Sequence, residues 1–87
     1  MKRVAVLAET KHEGAAEARR RGVPMLDVLT PRSVAIGAGR GARFDDFVVV
    51  GSPRFEVGRA AAIAPCFSSA PEAVLNRLVE FMGKGAR

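Results

Sequence analysis

Cysteine occurs once in this chain, histidine once, and tryptophan and tyrosine not at all. A lone Cys66 cannot close an internal disulfide, and one cysteine with one histidine cannot build a zinc site. The fold must therefore be held by its core, in a reducing compartment, and a cytoplasmic location is expected. Long hydrophobic runs are missing as well. The apolar stretch Val4 to Ala8 ends at Glu9, far short of the ~18 residues that suggest a membrane span and too short for a signal-peptide core. No membrane association is expected. The 6% of residues that are aromatic are all phenylalanine, so the sequence offers no evident base-stacking platform.

What is present is ordinary globular composition. With 48% apolar and 26% charged residues over 87 positions, disorder is excluded and a single domain spanning 1–87 is expected. Fourteen basic residues against nine acidic ones give a net charge of +5. The basic set is mostly arginine and alanine is abundant, a bias that GC-rich codons produce. A positive balance favours an anionic partner, yet the arginines are spread along the chain rather than gathered in one block.

The order of elements is legible from periodicity and punctuation. Arg3 to Ala8 reads as a buried strand. Thr10 and Glu13 fit a capping box that opens a helix to about Arg21, where Gly22 and Pro24 stop it. Its three terminal arginines complement the helix dipole, and Ala15 and Ala18 supply a small apolar face. Pro24 to Thr30 reads as the second strand, broken by Pro31. Ser33 to Arg43 is expected to be one helical turn or an irregular crossover. Asp45 to Gly51 is the third strand. Ser52 as N-cap and Pro53 in the first turn predict a helix to about Ala64, ended by Pro65. Ser69 and Glu72 predict a second capping box, opening an amphipathic helix with Val74, Leu75, Leu78, Val79, Phe81 and Met82 on its apolar face. Gly83 is expected to end that helix, leaving 83–87 as a frayed tail.

Alternating strands and helices predict an α/β fold: a minimal Rossmann-like unit, with a three-stranded parallel sheet ordered 2-1-3 and helices on both faces. So small a sheet leaves edges open, which a homodimer or another partner would cover.

Catalytic and cofactor motifs fail on inspection. Gly37, Gly39 and Ala42 satisfy a dinucleotide fingerprint, but the next strand starts too soon for the helix that would hold a pyrophosphate. NAD and FAD are therefore rejected and no cofactor is expected. There is no P-loop, and Glu9 and Glu13 would repel a phosphate beside the first helix. Asp45 and Asp46 precede their strand, whereas metal-binding acids in such folds follow it, so no metal site is expected. His12 and Ser52 lack an orienting carboxylate and a nucleophile elbow, and Cys66 reads as a small buried hydrophobe. An enzyme is not expected.

The carboxyl edge of a parallel sheet is where ligands sit in open α/β folds. It would gather Glu9, Thr10, Lys11 and His12 from the first strand, Thr30 and Arg32 from the second, and Ser52 and Arg54 from the third. Thr10, Lys11, His12, Thr30, Arg32, Ser52 and Arg54 are the candidate contacts for an anion or a partner's carboxylates. Capping and turn formation account for several of them without any ligand. A nucleic-acid or nucleotide-phosphate surface would instead use Arg32, Arg40, Arg43 and Arg54.

Residues Val28-Leu29-Thr30-Pro31-Arg32-Ser33 and Gly41-Ala42-Arg43-Phe44-Asp45-Asp46-Phe47-Val48-Val49-Val50-Gly51 resemble small Rossmann-like proteins from phages of GC-rich actinobacterial hosts. The resemblance implies an accessory gene product with no catalytic residues to carry over, acting in the host cytoplasm. Some such products bind and disable a host protein. The glycine-rich stretch before Gly41 departs from that group, which tends to be more helical there. The function expected is thus a non-enzymatic module that binds a host protein, with nucleic-acid or phosphate binding as the alternative.

Overall fold

The computed structural model describes residues 3–37, 41–55 and 61–85. Strand β1 (Val4–Ala8) lies at the centre of a three-stranded sheet ordered β2-β1-β3, with β2 (Val28–Leu29) and β3 (Asp46–Val50) both parallel to it. Val6 pairs with Val28 on one side and with Val48 on the other. This is the α/β sheet and strand order expected from the sequence.

The period of two along β1 divides the core. Val6 faces a small cluster with Ala18 and Val28, against which Val23, Val48 and Val50 pack. Ala5 and Leu7 face the larger cluster, which holds Leu29, Val34, Phe44, Phe47, Phe55, Ile63, Cys66, Phe67, Val74 and Leu78. Helices therefore cover both faces. All five phenylalanines join one chain of ring contacts, with Phe67 5.6 Å from Phe44 and 5.7 Å from Phe47, and Phe81 6.3 Å from both Phe47 and Phe55. Such tilted and edge-on pairs add to the area they bury, and they leave no aromatic ladder for stacked bases.

Helix α1 (Lys11–Arg21) opens at the expected N-cap, with the Thr10 hydroxyl accepting the Glu13 N–H at 3.2 Å, but among the described residues the Glu13 side chain does not return a bond to Thr10, so the capping box is only half formed. It closes at Gly22, whose φ of 70° lets the chain reverse while Val23 N–H reaches the Ala18 carbonyl at 2.8 Å. Its buried seam is Gly14 and Ala18, four residues apart, while Ala15 is only half-buried. Gly14 belongs to the seam because α1 runs too close to β2 for any side chain there. An added methyl would overlap Val28 Cγ1 and lie 3.1 Å from Ala8 Cβ.

Several boundaries differ from the sequence reading, each for a packing reason. The second strand is only Val28–Leu29, because Met25–Asp27 forms a 3-10 turn instead. That turn buries Asp27 and leaves Leu26 exposed. Asp27 accepts Arg3 Nη2 at 2.9 Å and Nε at 3.2 Å, and the guanidinium also lies 5.1 Å from the Phe44 ring. The short crossover helix α2 (Pro31–Ala35) begins two residues earlier than expected, with Thr30 as its N-cap.

After β3 no helix begins at Ser52. Residues 52–55 form no regular element, with Pro53 and Phe55 buried and Ser52 and Arg54 exposed. A helix would turn Pro53 and Phe55 about 200° apart, so burying both demands a period of two. The expected helix over 56–60 lies outside the described residues; 61–63 are helical and run into a 3-10 turn, Ala64–Phe67, that contains Pro65.

Helix α3 (Glu72–Gly85) begins at Glu72, and the Pro71 carbonyl accepts both Val74 and Leu75 N–H, so Pro71 rather than Ser69 stands at its start. The helix passes through Gly83 to Gly85 instead of ending there. Val74 and Leu78 are buried and Leu75, Phe81 and Met82 pack at their edge, but Val79 is exposed and does not belong to the apolar face.

Candidate functional site

The carboxyl ends of the three strands open onto a cleft of about 500 Å³, lined by Glu9, Pro31, Arg32, Ala35, Ile36, Ser52 and Arg54. Each wall has a local cause. Glu9 directly follows β1, where the chain leaves the sheet for α1.

The α2 wall is set by a reciprocal cap. Ser33 N–H donates to Thr30 Oγ1 at 3.0 Å, and Thr30 N–H donates to Ser33 Oγ at 2.9 Å. Both residues are buried, so the pair anchors the helix start beneath the cleft floor. Val34 then points into the core while Arg32, Ala35 and Ile36 face outward.

The third wall follows Gly51. Its φ of 70° turns the chain out of β3, a conformation glycine adopts without steric cost. Pro53 and Phe55 are buried and pin the segment, and the alternate residues Ser52 and Arg54 are left on the cleft side.

Arg32, Ser52 and Arg54 are thus brought together, with Glu9 between the strands. Among the described residues, neither the Arg32 nor the Arg54 guanidinium makes a hydrogen bond or ion pair. The other candidates are not assembled there. Thr10 and Thr30 are used as helix caps. Lys11 and His12 are exposed on the first turn of α1 and do not line the cleft. His12 therefore does not share the cleft with Ser52.

The four arginines of the nucleic-acid alternative are divided. Arg32 and Arg54 line the cleft, while Arg43 precedes β3, at the other end of the sheet, where its Nη1 donates to Ser68 Oγ at 2.7 Å. Arg40 lies outside the described residues. Asp45 and Asp46 also sit at that far end. Asp45 accepts the Arg3 backbone N–H at 2.9 Å, and Asp46 engages Arg77 at 3.1 Å.

Pro31, Ala35 and Ile36 were not anticipated as site residues. Ile36 is 85% exposed, and its signal in the sequence was an isoleucine directly before Gly37, past the last residue that a short helix could turn inward. Together these three make one side of the cleft apolar and place it against two guanidinium groups.

The only thiol is buried, and burial pushes Cys66 above its ordinary value, which disfavours the nucleophilic thiolate. Among the described residues no group of three histidine, cysteine or acidic side chains could hold a metal ion, and no helix is long and apolar enough to cross a membrane. Comparison with protein-family models, with curated proteins and with solved structures found no match for the chain.

Proposed function

We propose that this chain is a non-enzymatic binding module whose cleft at the carboxyl edge of the sheet receives an acidic, partly apolar segment of a partner protein. The observation that carries this reading is the composition of the cleft: Pro31, Ala35 and Ile36 beside Arg32 and Arg54. A partner's apolar side chain would bury against Ile36, which otherwise stands in water. Burying such a side chain is worth roughly 1.5–3 kcal/mol. A carboxylate next to it would take charge-assisted hydrogen bonds from the guanidinium groups, the contact for which arginine's planar fork is suited. Arginine set among apolar groups is a common hot-spot arrangement in protein interfaces.

The resemblance to actinobacteriophage accessory proteins supports a bacterial host protein, met in the host cytoplasm, as the partner. A nucleic acid or nucleotide phosphate would use the arginines but not the apolar wall. The two readings differ in salt dependence, because phosphate contacts release counterions and lose affinity steeply as salt rises.

The test is a tagged pull-down from an actinobacterial lysate, with and without nuclease, followed by titration of the retained protein. The expected result is one protein retained after nuclease treatment and lost with Arg32→Glu/Arg54→Glu and with Ile36→Asp. Retention that disappears with nuclease, or that survives all three substitutions, refutes the reading.

A further inference from the structure

The carboxyl edge of the sheet carries negative charge as well as positive. In the order β2-β1-β3, Glu9 follows the central strand, so it stands between the wall that carries Arg32 and the wall that carries Arg54. Glu13 brings a second carboxylate to the same edge. Its side chain reaches Gly51, where an added methyl would lie 2.9 Å from Glu13 Oε2. Gly51 leads directly into Ser52, so this carboxylate borders the third wall of the cleft. Among the described residues neither glutamate side chain makes a hydrogen bond or ion pair, and the guanidinium groups of Arg32 and Arg54 make none either. All four residues are exposed. Lys11, the other cation near this edge, does not line the cleft.

A ligand that is only anionic gains from the two arginines and loses to the two glutamates, because like charges at close range repel. A phosphodiester carries negative charge and acceptors alone, so it has nothing to offer Glu9. A protein segment can bring a cation beside its carboxylate. Taking the cleft as the docking site, we propose that Glu9 is its specificity residue, selecting a partner segment in which a lysine or arginine accompanies the acidic and apolar side chains, and turning phosphate away. The partner's basic group donates to the Glu9 carboxylate, its acidic group accepts from Arg32 or Arg54, and its apolar side chain packs on Ala35 and Ile36. Glu13 adds to the same field. Complementary charge of both signs also fixes the direction of the segment, since the reversed orientation sets like charges together. Glu9 thus supplies the repulsive element that discrimination between ligands commonly requires.

The probes are capped pentapeptides carrying leucine, glutamate and lysine in every order at the central positions, the same set with glutamine in place of lysine, and inorganic phosphate. Binding to the native chain and to Glu9→Gln is followed by the amide shifts of Arg32 and Ser52 at up to about 10 mM, enough for contacts this small. At least one lysine peptide should bind the native chain about two- to fivefold more tightly than its glutamine counterpart, the scale of one exposed ion pair. In Glu9→Gln that preference should vanish, and phosphate should bind about two- to fivefold more tightly than to the native chain. Equal binding of both peptide sets by the native chain, a lysine preference that survives Glu9→Gln, or a phosphate affinity that does not change overturns the role of Glu9 and leaves the cleft as a docking site. Peptides that move neither amide overturn both, as does phosphate binding to the native chain more tightly than every peptide.

Discussion

Gly14 in the middle of α1 poses a question that helix propensity and packing answer with opposite signs. A glycine in a helix interior costs about 1 kcal/mol relative to alanine, so on local grounds Gly14→Ala should stabilise the protein. The tertiary structure says otherwise. The new methyl would overlap Val28 Cγ1 and sit 3.1 Å from Ala8 Cβ. Val28 is 2% exposed and belongs to the small cluster with Val6 and Ala18. Being β-branched, it cannot swing aside without leaving its preferred rotamer, and β1 behind it is fully buried at Ala8. The remaining response is a lateral shift of α1 off the sheet.

Overpacking of this kind costs about 1–3 kcal/mol. Direct overlap with a confined side chain belongs in the upper part of that range, so after the propensity gain the net loss is about 1–2 kcal/mol. For a domain of this size that lowers Tm by roughly 5–15 °C. Urea and thermal unfolding of Gly14→Ala, Val28→Ala and the double variant form a cycle that isolates the clash. Val28→Ala alone loses buried area, but in its presence Gly14→Ala should turn neutral or stabilising, a coupling of about 1–3 kcal/mol. A single Gly14→Ala variant with a raised Tm would refute the close approach of α1 to β2.

Thr30→Ala should remove about 1–2 kcal/mol by unmaking the reciprocal cap of α2, since it strands the buried Ser33 N–H, while Thr30→Ser should retain most of the stability by unfolding assay. Because α2 forms a cleft wall, the alanine variant should also weaken binding at the cleft. Glu17 accepts hydrogen bonds from Arg20 first and Arg21 second, which hold its carboxyl below the ordinary value of 4.5. A folded pKa below the unfolded one means stability present in full above 4.5 and lost as pH falls through the lowered value. Comparing acid unfolding of the native chain with Glu17→Gln should show that part of the slope removed, with no change in slope at neutral pH.

Much of the sheet was legible because its signals are local. β1 and β3 are continuous apolar runs bounded by polar residues, Thr10 and Gly22 mark the two ends of α1, and the alternation of elements imposes a parallel order. The second strand is shorter than its apolar run predicts, because Met25 and Leu26 are as apolar as Val28 and Leu29 yet form a 3-10 turn. What separates them is Arg3, 24 positions away in sequence, whose guanidinium draws Asp27 into a buried turn. Ser52-Pro53 has the local chemistry of a helix start, and it was overruled by the need to bury Pro53 and Phe55 together. The C-terminal helix outran Gly83 because a glycine permits a stop without compelling one.

The same division holds at the candidate site. Parallel topology by itself determined that the residues following the three strands would share one edge, which is why Glu9, Arg32, Ser52 and Arg54 could be grouped from the sequence. Which side chains face that edge depended on orientation, and orientation is set by what the neighbouring residue buries. Val34 packs inward and turns Ile36 out; Thr30 and Ser33 satisfy one another and are withdrawn from the cleft; Phe55 packs inward and presents Arg54. Composition, periodicity and punctuation determined the strand order and the edge. Only tertiary packing decided the faces, because a side chain's direction follows from competition for a core assembled by residues distant in the chain.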